Sequence, residues 1–212
     1  MFSVIFDMDG TLLDTQRICF PAWDYAGEKQ GFKNAGSLMT MVCGMNINGS
    51  NAILRKHLPQ VDVEKFRADA REYIVNNLVV KFKDGAKELL YYLKERGIKI
   101  GLATGTARPS TEHHLKEVGV LDMFDAIICG TEVENGKPAP DIFLETARKM
   151  GVKPEDCFVF EDSQNGVIAA HKAGMKCIGI ADVVPFNDST KALMYCELNN
   201  MYQAIEIFEK SV

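Results

Sequence analysis

Short apolar runs that end abruptly at polar residues recur along this chain, with helix-like segments between them. Phe2 to Phe6 stops at Asp7, and Ile98 to Ala103 stops at Thr104-Gly105-Thr106. Ala126 to Cys129 stops at Gly130, Cys157 to Phe160 at Glu161-Asp162, and Cys177 to Ile180 at Ala181-Asp182. Short, mainly apolar runs of this length suit strands buried on both faces. Between them, Lys83 to Arg96 places Ala86, Leu89, Leu90 and Leu93 at helical spacing and is closed by Gly97. Ser110 to Val118, Pro140 to Met150 and Ser163 to Ala173 are closed likewise by Gly119, Gly151 and Gly174, as helix carboxyl ends often are. The alternation predicts an α/β fold, a parallel sheet with helices on both faces. Right-handed crossovers then put every strand carboxyl end on one edge, where open sheets bind ligands.

From about Gln16 to Val80 the rhythm breaks. Ala22-Trp23-Tyr25-Ala26, Ile53-Leu54-His57-Leu58 and Phe66-Ala70-Tyr73-Ile74 are helical in pattern. Turns are expected at Gly31 to Gly36 and at Gly44 to Ser50, and Pro59 ends the middle helix,. The expected organisation is a core formed by residues 1–14 and 81–212, with a helical insert over 15–80 standing over the strand ends as a cap. Trp23, Tyr25, Phe66, Tyr73 and Ile74 are its candidate core. One mixed α/β domain with extra helices is the alternative. Asn200 to Lys210 is expected to form an edge helix.

Lys and Arg number 24 and Asp and Glu 29, for a formal net charge of -5. This balance argues against a protein whose work is to condense on nucleic acid. The cysteines Cys19, Cys43, Cys129, Cys157, Cys177 and Cys196 form no CxxC pair and read as small apolar residues in a reducing compartment,. The first residues resemble no signal peptide, and no stretch approaches the roughly 18 apolar residues of a membrane span,. A cytoplasmic monomer without a membrane or nucleic-acid partner is expected.

The polar residues at the strand ends carry the chemical signal. Asp7-Met8-Asp9-Gly10 places two carboxylates at i and i+2 after a strand, on one side of the chain if it stays extended. Such a pair binds a hard cation or splits its pKa values between a charged and a protonated group. A calcium loop is disfavoured, because Leu12 stands at the sixth position where glycine is demanded,. Glu161-Asp162-Ser163 ends another strand, and Asp162 or Ser163 could equally be a helix amino-terminal cap,. Asp7, Asp9 and Asp162 on one edge would repel one another without a cation, and oxygen ligands favour Mg²⁺. Thr104-Gly105-Thr106 offers hydroxyls and open backbone to an anion,. Lys137 could add a point charge or be a surface lysine in a proline-stiffened loop; Pro138 rules out a P-loop,. Together these groups fit phosphoryl transfer, whose work is positioning and charge neutralisation.

The chain resembles the haloacid dehalogenase-like superfamily, in its group of sugar-phosphate phosphatases and beta-phosphoglucomutases with a helical cap. The motifs are DMDGTLLDT at Asp7 to Thr15, LATGT at Leu102 to Thr106, GKPAPDIF at Gly136 to Phe143 and FEDSQNGVIAA at Phe160 to Ala170. The resemblance implies a Rossmann-like core, a mobile cap, and an enzyme, a phosphoric monoester hydrolase acting on small phosphorylated metabolites. It implies Asp7 as nucleophile and Asp9 as general acid/base, with Thr104, Gly105 and Lys137 binding the phosphoryl group. It further implies Mg²⁺ held by Asp7, Asp162 and the Asp9 carbonyl, with Glu161 supporting the metal shell. Asp9 argues against haloacid chemistry, since the metal-free dehalogenases do not match it. Beta-phosphoglucomutases carry a histidine where Cys19 stands and an arginine near Ile47, so a phosphatase is expected. A phosphosugar mutase and a non-catalytic ligand-binding relative are the alternatives. Asn46, Asn48 and Asn51 are candidate cap contacts, and His57, His113, His114 and His171 read as surface or helix residues.

Overall fold

The computed structural model describes residues 2–43, 45 and 47–210. Among them one sheet is formed by β1 (Ser3–Phe6), β2 (Ile100–Thr104), β3 (Ala126–Cys129), β4 (Cys157–Glu161), β5 (Lys176–Gly179) and β6 (Cys196–Glu197). The spatial order is β3-β2-β1-β4-β5-β6, and every neighbouring pair is parallel. Val4, Ile5 and Phe6 are fully buried, because successive side chains of β1 enter different cores.

Between β1 and β2 the chain forms α1 (Cys19–Glu28), α2 (Met39–Val42), α3 (Ile47–His57), α4 (Val63–Asn77) and α5 (Ala86–Glu95). Then come α6 (Arg108–Glu117), α7 (Asp141–Met150), α8 (Gln164–Lys172), α9 (Asp188–Lys191) and α10 (Tyr202–Glu209). On one face of the sheet Val4, Phe6, Leu102 and Phe160 pack with Leu89 and Leu93 of α5 and Phe208 of α10. Phe6 and Phe160 lie opposite each other in register, with rings stacked at 5.0 Å. On the other face Ile5, Ala103 and Val159 pack with Phe143 and Ala147 of α7 and Val167 and Ala170 of α8. Both faces are covered, as the mainly apolar runs require,.

The inserted helices α1 to α4 have an apolar core of their own, built on Ala22, Trp23, Leu54, Phe66 and Ala70. Trp23 meets Phe66 edge-on at 5.4 Å, and Tyr25 meets Tyr73 at 5.3 Å. Asp62 starts α4 by accepting a hydrogen bond from Lys65 N at 3.0 Å, a regular amino-terminal cap.

Three local expectations need correction. The turn expected over Gly44 to Ser50 is helix from Ile47 onward. Asn, Gly and Ser favour turns when alone, but the Arg67 guanidinium of α4 binds Ser50 Oγ and Asn51 Oδ1 and ties the start of α3 down. Within the turn expected at Gly31 to Gly36, a 3-10 helix begins at Ala35. The two-residue strand β6 gave no apolar run to read, because its side chains are half-buried or exposed at the sheet edge.

Two linkers join the insert to the sheet and run side by side. Asp14 N donates to Lys81 O at 2.8 Å, and Lys83 N donates to Leu12 O at 3.0 Å. The buried Asp182 carboxylate accepts from both linkers, Lys83 Nζ at 2.7 Å and Arg17 Nη2 at 2.9 Å.

Candidate active site

The chain leaves β1 toward β2 and β3, then returns to β4, β5 and β6 on the other side of β1. Such a reversal leaves a crevice outside the strand carboxyl ends. Asp7 follows β1 there, Glu161 ends β4 and Asp162 comes next. All three are buried.

Lys137, from the loop before α7, is only 8% exposed, which excludes the surface-lysine reading. Its Nζ donates to Asp7 Oδ1 at 2.5 Å, to Glu161 Oε1 at 2.5 Å and to Ala103 O at 3.1 Å. All three ammonium donors are therefore used. The other oxygen of Glu161, Oε2, accepts from Asp162 N, Ser163 N and Ser163 Oγ at 3.1, 3.0 and 2.9 Å. Gly166 in the first turn of α8 makes room for it, since a Cβ there would overlap the Glu161 carboxylate. Ser163 also caps α8, its Oγ accepting from Gly166 N at 3.0 Å.

Asp162 accepts from Thr11 Oγ1 at 3.0 Å and from Gln16 Nε2 at 2.7 Å. Asp9 turns the other way. Its Oδ1 accepts from Thr15 Oγ1 at 2.6 Å, and its Oδ2 from Thr106 Oγ1 at 2.7 Å and Thr104 Oγ1 at 3.3 Å. The two motif carboxylates thus take different hydrogen-bond partners, and the chain turns between Met8 and Leu13. The Met8 carbonyl accepts from Leu12 N and Leu13 N at 3.0 and 2.9 Å, closing a tight turn. What Asp9 directs toward Asp162 is its main-chain carbonyl, which accepts from the same Gln16 nitrogen at 2.6 Å. Gly105 is exposed at the end of β2, beside Thr104, whose Oγ1 accepts from Thr106 N at 3.0 Å.

Burial pushes the Asp7 carboxyl up to about 8; Lys137 draws it down, and Glu161 and Asp9 push it further up. Asp162 is also raised well above the usual carboxylate range, by burial and then by Glu161 and Asp7. Burial opposes the charge on Lys137, but Asp7 and Glu161 outweigh it and hold its pKa above the ordinary lysine value. Buried together with Glu161 and one ammonium, the Asp7 and Asp162 carboxyls hold protons more tightly than free carboxylates do, and a further positive charge nearby would release them,.

Among the described residues no group of three or more His, Cys, Asp or Glu side chains forms a metal-binding cluster. The converging donors are of mixed origin instead. Gln16 Nε2 is shared by Asp9 O and Asp162 Oδ2, and Asp7 is near enough to raise the Asp162 pKa. An all-oxygen set of this kind fits a hard cation that keeps several waters.

The cap candidates are less converged. Asn46 lies outside the described residues, Asn48 is exposed, and Asn51 accepts from Arg67 Nε at 3.0 Å. His57, His113 and His171 are exposed and His114 is half-buried. Sequence reasoning missed the roles of Thr11, Thr15, Gln16 and Arg67. Thr15 and Gln16 are 5% and 8% exposed, yet no periodicity marks them, since they lie in a linker. A surface hollow of about 550 Å³, lined by Arg108, Ile127, Ile128, Glu132, Glu145 and Lys149, contains none of the site residues.

Buried carboxylates at a sheet crossover, a lysine between them and inserted helices after the first strand also describe a known family. The profile of haloacid dehalogenase-like hydrolases matches residues 4–180. The chain belongs to the haloacid dehalogenase-like hydrolases. A phosphorylated carbohydrates phosphatase of Thermotoga maritima is 35% identical over 181 residues, covering 84% of this chain and 84% of that protein. A beta-phosphoglucomutase of Bacillus subtilis is 31% identical over 195 residues, covering 87% of this chain and 85% of that protein. The crystal structure of beta-phosphoglucomutase from Clostridium difficile has the same fold, with a TM-score of 0.80 at 24% identity over 99% of this chain and 96% of that one. Within the family this chain is a hydrolase of small phosphorylated compounds, and α1 to α4 form its cap. No helix among the described residues is long and apolar enough to cross a membrane.

Proposed function

We propose that this haloacid dehalogenase-like hydrolase is a Mg²⁺-dependent sugar-phosphate phosphatase that works through an aspartyl-phosphate on Asp7. The observation that carries this reading is the different partnering of the two motif aspartates. Asp7 is buried against Lys137, whereas Asp9 faces the hydroxyls of Thr15, Thr104 and Thr106. One carboxylate is thereby aimed as a nucleophile and the other left to handle protons. A cation bound by Asp7, Asp162 and the Asp9 carbonyl would neutralise charge on the phosphoryl oxygens.

The remaining steps belong to the chain's own residues. Lys137 keeps Asp7 oriented, and Glu161 keeps Lys137 in place. Thr104 and the Gly105 amide hold the phosphoryl oxygens. An Asp7 oxygen attacks phosphorus in line as the bond to the leaving oxygen breaks, and Asp9 protonates the departing alkoxide. Water then attacks the phosphorus of the aspartyl-phosphate and gives its proton to Asp9. Inorganic phosphate leaves and the Asp7 carboxylate is restored. Asp9→Asn should lower kcat/KM far more for alkyl phosphates than for p-nitrophenyl phosphate, whose leaving group needs little protonation. Equal losses on both substrates would remove Asp9 from the role of general acid.

The Thermotoga relative supports a sugar phosphate as substrate, with Asn46, Asn48 and Asn51 as candidate contacts from the cap. A mutase must grip a second phosphate as well. Burial holds the Cys19 thiol neutral, up at about 12, and Ile47 is apolar and 62% exposed, so neither supplies a cationic grip. Net hydrolysis is therefore expected. With beta-glucose-1-phosphate and catalytic bisphosphate, phosphate release should exceed formation of glucose-6-phosphate; the reverse ratio would favour the mutase.

A further inference from the structure

Gln16 has no part in the steps above, yet it is the side chain that binds two of the expected cation ligands at once. Its amide nitrogen donates one hydrogen to Asp9 O at 2.6 Å and the other to Asp162 Oδ2 at 2.7 Å. These oxygens are far apart in sequence, one after β1 and one after β4, and the NH₂ group spends both of its donors on them,. The amide oxygen is occupied as well, accepting from Cys43 Sγ, just past α2 in the cap, at 3.5 Å. The side chain is closely housed. A Cβ on Gly10 would come within 2.6 Å of Gln16 Nε2 and 2.5 Å of Asp162 Oδ2.

An amide nitrogen shared by two oxygens does for them what a cation does, since it presents positive charge to their lone pairs. It cannot remain there as a metal ligand, because its own lone pair is delocalised into the carbonyl. Mg²⁺ also demands near-octahedral geometry at about 2.0–2.1 Å. We propose that Gln16 guards the cation site: its amide nitrogen competes with Mg²⁺ for Asp9 O and Asp162 Oδ2 and must swing out for the cation to bind. The proposal rests on the reading of Asp7, Asp9 O and Asp162 as the Mg²⁺ ligands.

The guard also links the site to the cap. Gln16 sits in the first linker, its carbonyl accepting from Cys19 N at 2.9 Å where α1 begins. Swinging its amide away breaks the contact with Cys43. Cation binding and release of the α2 end of the cap are then coupled, and by linkage a cap that holds Gln16 in place weakens cation binding to the same degree.

Calorimetric titration of Mg²⁺ into the full-length wild type, Gln16→Ala and Asp162→Asn proteins, without substrate, tests this. Loss of two competing hydrogen bonds, one of them to a carboxylate, should tighten Mg²⁺ binding about tenfold in Gln16→Ala, while Asp162→Asn shows no saturable binding. Gln16→Ser, too short to span both oxygens, should behave as alanine does and replaces it if the alanine variant fails to fold. Unchanged or weaker binding in the folded Gln16 variant, with wild type binding and Asp162→Asn not binding, would overturn the guard and leave the metal site standing. No saturable binding to the wild type, or equal binding to Asp162→Asn, would overturn the metal site and the guard with it.

Discussion

Lys137 places its ammonium between Asp7 and Glu161, so an apolar replacement leaves two buried carboxylates facing each other without a counter-ion. Removing one partner of a buried ion pair costs about 3–5 kcal/mol, and losing a preorganised charge at a reacting centre costs about 10²–10³ in kcat. Lys137→Met should therefore lower the denaturant midpoint and kcat together. Unaltered stability with lost activity would mean that the lysine serves the substrate alone. At this scale the sequence was legible where placement follows from strand position: Asp7, Glu161 and Asp162 lie buried at the ends of the neighbouring strands β1 and β4. It was not legible for the direction of Asp9, which depends on the turn at Met8. Nor did it reveal Gln16 and Thr15, whose partners are chosen by tertiary approach and leave no spacing signal.

At the scale of elements, the two linkers are the part of the fold whose geometry decides how the cap stands over the sheet. Asp182, after β5, is the group that fastens them. Its side chain is fully buried, Lys83 is mostly buried, and Arg17 is largely exposed, so the Lys83 contact is the stronger of the two,. Asp182→Asn keeps the shape and removes the charge. It should cost about 1–3 kcal/mol and speed amide hydrogen exchange at Asp14 and Lys83, whose N–H groups pair the linkers. Exchange unaltered at both amides would show that the backbone pairing holds the linkers without Asp182. The strand runs and the helices after them were readable because apolar periodicity and closing glycines act locally. The start of α3 was not, since Arg67, from a different helix, overrides the turn preference of Asn48 to Asn51. The edge strand β6 was too short and too exposed to leave a pattern.

Over the whole molecule, a sheet buried on both faces fixes where the strand ends lie, and a cap with its own core can sit over them without borrowing from the sheet's cores. That division was visible as a break in the alternation of strand and helix, and the common edge for the strand carboxyl ends followed from the rules of parallel sheets rather than from any one residue; the strand order did not,. What composition and pattern left open was the direction each polar group takes inside the crevice, and the proposed chemistry depends on that direction. The proposed chemistry requires the phosphoryl group to pass through Asp7. Asp9→Asn, mixed rapidly with p-nitrophenyl phosphate and quenched in acid during the first turnover, tests it directly. Formation of the phosphoenzyme needs little help from Asp9 with this leaving group, whereas its hydrolysis needs a base. A burst of about one p-nitrophenol per active site is expected, with phosphate recovered on the peptide that contains Asp7. Phosphate released in step with p-nitrophenol from the first turnover, with none on that peptide, would contradict it.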